Sequence, residues 1–387
     1  MDFKSELEKM AESSIEFFPV QNGDTSLIRI SDGKVLTNVI VDCHICENAT
    51  YDIQTHLLNI LPYQNGIPHV DVFILTHPHE DHVLGFQSLF YRGDPADYSD
   101  KDKKAGKIII DELWFAPKIF NVPANDLPDD AIIFRKEAQR RIELYEGKKQ
   151  SRSNTGNRLR IIGASNCDEL ADLAEITTYP GHTLNLLNNK IFDNFRFFIY
   201  APIKKDSDEE GINPNNTSIV FQARFDIDGV ENAVKVFMGG DAECPIWERI
   251  VAINDNENLS WDLFLASHHC SWSVFNLRPS TDDSEPSEKV LHLLNLKRGN
   301  AYIVASSKPI LDDDKNPPSY RAKQIYVKKV GNDRFLCTGE HPTEKDPQPI
   351  YFTMSSKGVV KTNLPSTGNK AIETVSYAAT SKPSYYG

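Results

Sequence analysis

The apolar stretch Val72-Phe73-Ile74-Leu75 runs directly into Thr76-His77-Pro78-His79-Glu80-Asp81-His82. A buried strand normally ends in a turn of Gly, Asn or Pro. Here it ends in the pattern His77-x-His79-x-Asp81-His82. Imidazole nitrogen and carboxylate oxygen suit zinc and harder divalent ions such as manganese. The two separated histidines can hold one ion, while the adjacent Asp81 and His82 point to a second. Two such ions lower the pKa of a shared water, and the hydroxide so formed attacks an ester carbonyl or a phosphorus.

Such residues need rigid elements behind them. Runs rich in β-branched and aromatic residues recur as "SIEFFPV", "TSLIRI", "TNVIVD", "VDVFIL", "KIIIDELWF", "RFFIYAP", "TSIVFQARF", "AVKVFMGGD", "WDLFLASHH" and "AYIVASS", and each predicts a strand. Helical periodicity is clearest after Pro128, where Ile132, Phe134, Ala138 and Ile142 interleave with charge. Further helices are expected at 52–61, 84–91, 245–253 and 288–296. Strands and helices alternate along the chain, so the class is α/β or α+β. Residues 93–106 and 204–216 read as charged loops, and the stretch from about 362 to 387 as a loosely ordered tail.

The histidine run resembles the metal signature of the metallo-β-lactamase superfamily. "NGDTSLIRI…NVIVDCHI" is similar to that fold's opening strands, "FMGGDAE" to its bridging-carboxylate motif and "LFLASHHCS" to its last ligand motif. The order "YAP…NNTSIVFQ", "GGDAE", "SHHCS" further resembles the soluble hydrolase domain of ComEC-type DNA-uptake proteins. The resemblance spans about residues 14–362, with 1–13 as an N-terminal extension, a charged helical insertion at about 93–155, and the tail outside it. It implies an αβ/βα four-layer sandwich of two mixed sheets flanked by helices.

On this resemblance the metal ligands are His77, His79, Asp81, His82, Asp241 and His268, with His182 of "YPGHT" as a further ligand to the first ion. Asp81 steers the hydroxide and Asp241 bridges the ions. His269, the second of the histidine pair, contacts substrate or protonates a leaving group, although which of His268 and His269 ligates stays open. Asn216 and Ser218, in a loop entering a strand, offer neutral donors to an oxyanion. Asp42 and Thr76 support the metal loop from behind, as does Asp71. Three departures stand out: Cys270 replaces a usual Gly, His44 follows Cys43 where Gly is common, and a later Gly-His-Pro is missing.

The 387 residues suffice for one large or two ordinary domains, with 25% charged and 40% hydrophobic residues. No apolar stretch reaches the roughly 18–20 residues of a membrane helix, so no membrane partner is expected. Six cysteines in so long a chain do not make a disulfide scaffold, and the cytoplasm is the expected compartment. A net charge of −13 disfavours passive coating of nucleic acid, but bound metals can override that sign in a cleft. The basic face Arg135, Lys136, Arg140, Arg141, Lys148 and Lys149 offers contacts to a nucleic-acid backbone, or is a solvated helix face.

The expectation is therefore a hydrolase with two divalent ions, zinc or manganese, acting on a phosphodiester in nucleic acid or nucleotide. A hydrolase of carboxylic esters, lactams or thioesters, an iron-dependent persulfide dioxygenase and a non-catalytic metal-binding module are the alternatives.

Overall fold

The computed structural model describes residues 12–46, 51–163, 170, 172–208, 213–280 and 283–363. Each of the ten apolar runs contributes a strand, because alternating inward residues have a second sheet or a helix layer to pack against. Among the described residues the first sheet has ten strands. Its path is Gly358–Thr362, Ile350–Ser355, Ser14–Phe17, Ser26–Ser31, Leu36–Val41, Ile67–Leu75, Ile109–Phe115, Arg158–Ile162 and Thr177–Thr178, with Tyr63–Gln64 paired off the path. Neighbours are antiparallel as far as Leu36–Val41 and parallel from there on.

The second sheet has seven strands in the order Phe335–Cys337, Lys297–Ala305, Trp261–Leu265, Val230–Met238, Val220–Ile227, Phe195–Ala201 and Thr183–Leu184. The first four run parallel and the rest antiparallel. Each sheet is thus part parallel and part antiparallel.

Three apolar clusters hold these mixed sheets and helices together. One draws on both sheets, including Ile28, Val41, Val72 and Ile74 from the first and Phe197, Phe221, Val236 and Leu263 from the second. Another joins the first sheet to helices Ile53–Ile60 and Asp129–Glu146 through Leu57, Phe73, Phe134, Ala138 and Ile142. The third joins the second sheet to Cys244–Ile253, Glu288–Asn295 and Tyr320–Val330 through Trp247, Phe264, Leu293 and Tyr326.

Several expectations change in detail. The helix expected at 84–91 shortens to Phe86–Leu89, set off from the preceding turn Glu80–Val83 by Gly85 with φ 97°. The charged loop 93–106 carries the short helix Asp100–Lys104, which Ser99 and Asp102 start with a reciprocal capping box. The segment 204–216 contains the helical turns Lys204–Asp208 and Pro214–Thr217. The strand Arg158–Ile162 escapes the apolar pattern because Arg158 and Arg160 alternate with its inward residues. The stretch 93–155 includes Ile109–Phe115, a strand inside the first sheet. The N-terminal extension up to residue 11 and the tail from 364 lie outside the described residues.

The three arginines of the basic helix face are engaged in structure. Arg141 is buried and donates to Glu137 and to the carbonyls of Ile110 and Arg158. Arg140 binds Glu137 and Asn157, and Arg135 donates to the Val122 carbonyl.

The same helix fixes the far end of the metal loop. The Asp130 carboxylate accepts hydrogen bonds from the backbone N–H of Gly85 at 2.8 Å and of Gln87 at 2.9 Å. Phe86, one residue further, packs against Phe73 and Phe134. Asp130→Ala leaves both N–H groups without this acceptor and is expected to destabilise the protein by about 1–2 kcal/mol, read as a lower urea midpoint at unchanged slope.

Candidate metal centre

Parallel strands deliver their carboxyl ends to one edge, where the chain leaves them in loops. Asp42 follows Leu36–Val41, Thr76–His82 follow Ile67–Leu75, Asp241 follows Val230–Met238, and His268–His269 follow Trp261–Leu265. Open α/β sheets place ligand sites at such ends.

Asp42 turns into the site with φ 58°. Its carboxylate accepts the Thr76 N–H at 2.7 Å and the Thr76 hydroxyl at 2.6 Å, and lies 2.8 Å from His82 Nδ1. This fixes the His82 ring so that Nε2 faces inward. There it is ion-paired with Asp241 Oδ1 at 3.1 Å, and neither buried atom has an aligned hydrogen bond. His77 Nε2 stands 3.7 Å from Asp241 Oδ2 and 3.2 Å from His79 Nδ1. His269 Nε2 stands 3.1 Å from Asp81 Oδ2 and 3.5 Å from Asp241 Oδ1.

Two overlapping groups result, Asp24 with His82, Asp241 and His269, and His77 with Asp81, His82 and Asp241. In each, one ligand atom per residue lies within 4.8 Å of all the others. Buried imidazoles and carboxylates facing one another this closely fit a divalent cation.

The histidine pair divides unevenly. His269 is fully buried at the centre, its Nδ1 3.1 Å from the Ser306 carbonyl. His268 stands at the mouth with 17% of its side chain exposed, Nδ1 2.9 Å from Ser273 Oγ and Nε2 3.8 Å from Asp241 Oδ2. His269 thus belongs to one of the two groups, and His268 to neither. His268, His269 and Cys270 have φ of 51°, 51° and 67°, three consecutive non-glycine residues in the left-handed region.

Ser218 Oγ accepts the Asp241 N–H at 3.1 Å, and so holds the bridging candidate from behind. Gly240 is required there, since a Cβ on it would meet Thr76 Oγ1 at 3.0 Å and Ser218 at 3.1 Å. Asn216 donates to Glu243 at 2.9 Å. Its neighbour Asn215 is the residue beside His268, with Nδ2 3.4 Å from Nε2. His182 is exposed, its Nδ1 near the carbonyls of Tyr179 at 3.2 Å and Pro180 at 3.3 Å, and it belongs to neither group. Asp71 does not orient the histidines, being bonded to Asn38 and Asn188.

Sequence reading missed Asp24 and Asn215. Asp24 is buried, 3.7 Å from His269 Nδ1 and 4.0 Å from His82 Nδ1. Its signal was an acid in a Gly-Asp turn just before a buried strand. That turn packs tightly on the metal loop, because a Cβ on Gly23 would meet the Asp81 carbonyl at 2.7 Å.

The cluster's electrostatics follow from burial and mutual charge. Burial raises Asp24 to about 6 against the pull of His269 and His82. Burial opposes charge on His269, but Asp241 and Asp81 outweigh it and hold the ring up to about 9. His82 is likewise raised, by Asp241 and Asp42 against burial. His77 is lowered by burial and by His82. Asp241 stays far below its usual range because His82 and His269 overcome its burial.

No family model and no curated protein matches the chain. Among solved structures it aligns with a protein of Parabacteroides distasonis described as a candidate metal-dependent hydrolase, at 11% identity over 84% of this chain and 92% of that one, with TM-score 0.32. It also aligns with the short form of human tRNase Z, at 12% identity over 84% and 91%, with TM-score 0.31.

The metal-free cluster is most stable with His82 and His269 protonated. The share of His269 is complete below its ordinary 6.5 and is lost as pH rises through about 9. Metal binding runs oppositely, since both rings must shed protons to ligate. The melting temperature of metal-free protein is therefore expected to fall from pH 6.5 to 9, while the rise caused by added zinc or manganese grows. Scanning fluorimetry across that range checks both; a pH-independent metal effect would remove these rings from the ligand set.

Proposed function

We propose that the protein is a metal-dependent hydrolase of phosphodiester bonds, working in the cytoplasm on a nucleic acid or nucleotide. The observation that carries the metal reading is the pair of overlapping His/Asp groups, sharing His82 and Asp241, whose ligand atoms lie within 4.8 Å of one another in each group. The two mixed sheets, with one apolar cluster between them and one on each helix side, support the four-layer metallo-β-lactamase arrangement over about 14–362. Five free cysteines among the described residues accord with a reducing compartment.

In this reading His77 and His79 serve the first ion, Asp81, His82 and His269 the second, and Asp241 both. Two divalent ions held there, zinc or manganese, would supply an activated water and neutralise charge on the ester oxygens. Asp42 and Thr76 keep His82 in the tautomer that presents Nε2. His268, at the mouth and backed by Ser273, would contact the substrate. Ser218 acts on Asp241 and not on the substrate, and Asn216 braces Glu243.

The test is hydrolysis of bis(p-nitrophenyl) phosphate by metal-stripped protein reloaded with manganese or zinc, beside p-nitrophenyl acetate. Phosphodiester turnover is expected in the reloaded protein and only background in Asp241→Ala. His268→Ala is expected to keep its metal and lose kcat/KM. Turnover confined to the acetate would replace the phosphodiesterase with a carboxylic esterase, and no turnover in either would leave a metal-binding module.

A further inference from the structure

On the His77 side of the centre, His77 and Asp241 share a group with Asp81 and His82, and His79 stands outside it with Nδ1 3.2 Å from His77 Nε2. His182 is exposed and its Nδ1 faces the backbone carbonyls of its own turn. The turn Pro214–Thr217 carries Asn215. Asn215 is 5% exposed, and its Oδ1 is buried without a hydrogen-bond partner. Its Nδ2 lies 3.4 Å from His268 Nε2, which places the amide on the side of the centre where Asp241 Oδ2 faces His77 and His268.

A buried carbonyl oxygen with no partner is expensive, by roughly 1–3 kcal/mol. The turn is otherwise well bonded: Asn213 caps it through the Asn215 N–H at 3.1 Å, and Thr217 Oγ donates to the Pro214 carbonyl at 2.7 Å. The orphan is therefore a property of the Asn215 side chain and not of a loose loop.

Resting on the metal reading above, we propose that Asn215 Oδ1 is a ligand of the first ion, in the place that the Pro-Gly-His motif would otherwise fill. Exchanging an imidazole for a neutral amide oxygen makes that site harder. Each site then has two imidazoles, but the first has Asp241 as its one carboxylate while the second has Asp81 as well. The same exchange makes the first site the weaker of the two, so that the ions load in order.

The experiment is manganese titration of the metal-stripped full chain, with bound metal counted by atomic emission and the paired ions detected by electron paramagnetic resonance. The wild type is expected to bind two ions with an exchange-coupled spectrum, and His182→Ala to match it. Asn215→Ala should keep one ion, bind the other at least about tenfold more weakly and lose the coupled spectrum. Asn215→Asp should restore both, with circular dichroism confirming that the variants fold. Two ions of unchanged affinity in Asn215→Ala would overturn the assignment, as would loss of an ion in His182→Ala. An Asn215→Ala variant that keeps both ions but raises KM for bis(p-nitrophenyl) phosphate would make Asn215 a substrate contact instead. A wild type that binds no metal would sink the metal reading itself, an outcome distinct from these.

Discussion

The Asp42 carboxylate is the contact on which the metal-loop side of the centre depends. It ties the end of Leu36–Val41 to the end of the neighbouring parallel strand through both polar groups of Thr76, and through His82 it reaches the middle of the cluster. Burial pushes this carboxyl up, while His82 and Thr76 pull the other way. A buried charge that loses its partner is strongly destabilising, by about 3–5 kcal/mol. Asp42 therefore fixes the loop conformation and the His82 tautomer in one step. It does so from a left-handed backbone conformation that only a short polar side chain takes readily.

Strain collects on the opposite wall for a related reason. Three successive left-handed residues at His268–Cys270 cost about 1–2 kcal/mol each, and nothing local in their sequence favours them. The surroundings hold the turn in place. His268 donates to the Gly240 carbonyl at 3.1 Å, Ser271 to the His268 carbonyl at 2.8 Å, and Ser319 to the Cys270 carbonyl at 3.0 Å. Asn316 accepts from Ser271 Oγ and from the Trp272 N–H. The outcome is that His269 points into the core of the centre and His268 toward its mouth, an arrangement that regular helix or strand geometry does not offer two adjacent residues.

This explains what the sequence could reveal. Strand runs and the long helix were legible because burial imposes a period of 2 or 3.6 on them. The dense cluster His77–His82 was legible because so many ligating groups rarely serve any other purpose at a strand end. The doublets Asn215–Asn216 and His268–His269 were not. Which member faces the site is set by turn dihedrals and by distant partners such as Glu243 and Ser306, and composition carries no trace of either. His182 is the opposite case. Its tetrapeptide matched a ligand motif, but the turn holds the ring among its own carbonyls. Asp24 was hidden because a single acid before a strand reads as an ordinary turn residue.

The centre also depends on both sheets at once. The histidine loop, Asp42 and Asp24 belong to the first sheet, while Asp241, His269 and Asn215 belong to the second. Neither half has a complete donor set, so the site exists only where the shared apolar cluster presses the sheets together in register. Any ion held there is bonded across that interface, and its binding free energy adds directly to the free energy of the folded state. Conversely, packing defects between Val72 or Ile74 and their partners Val236 and Leu263 would be felt at the ligands, since sub-ångström shifts matter to coordination and a packed interior transmits strain. The apolar core between the sheets is thus as much a part of the metal centre as the histidines at its edge.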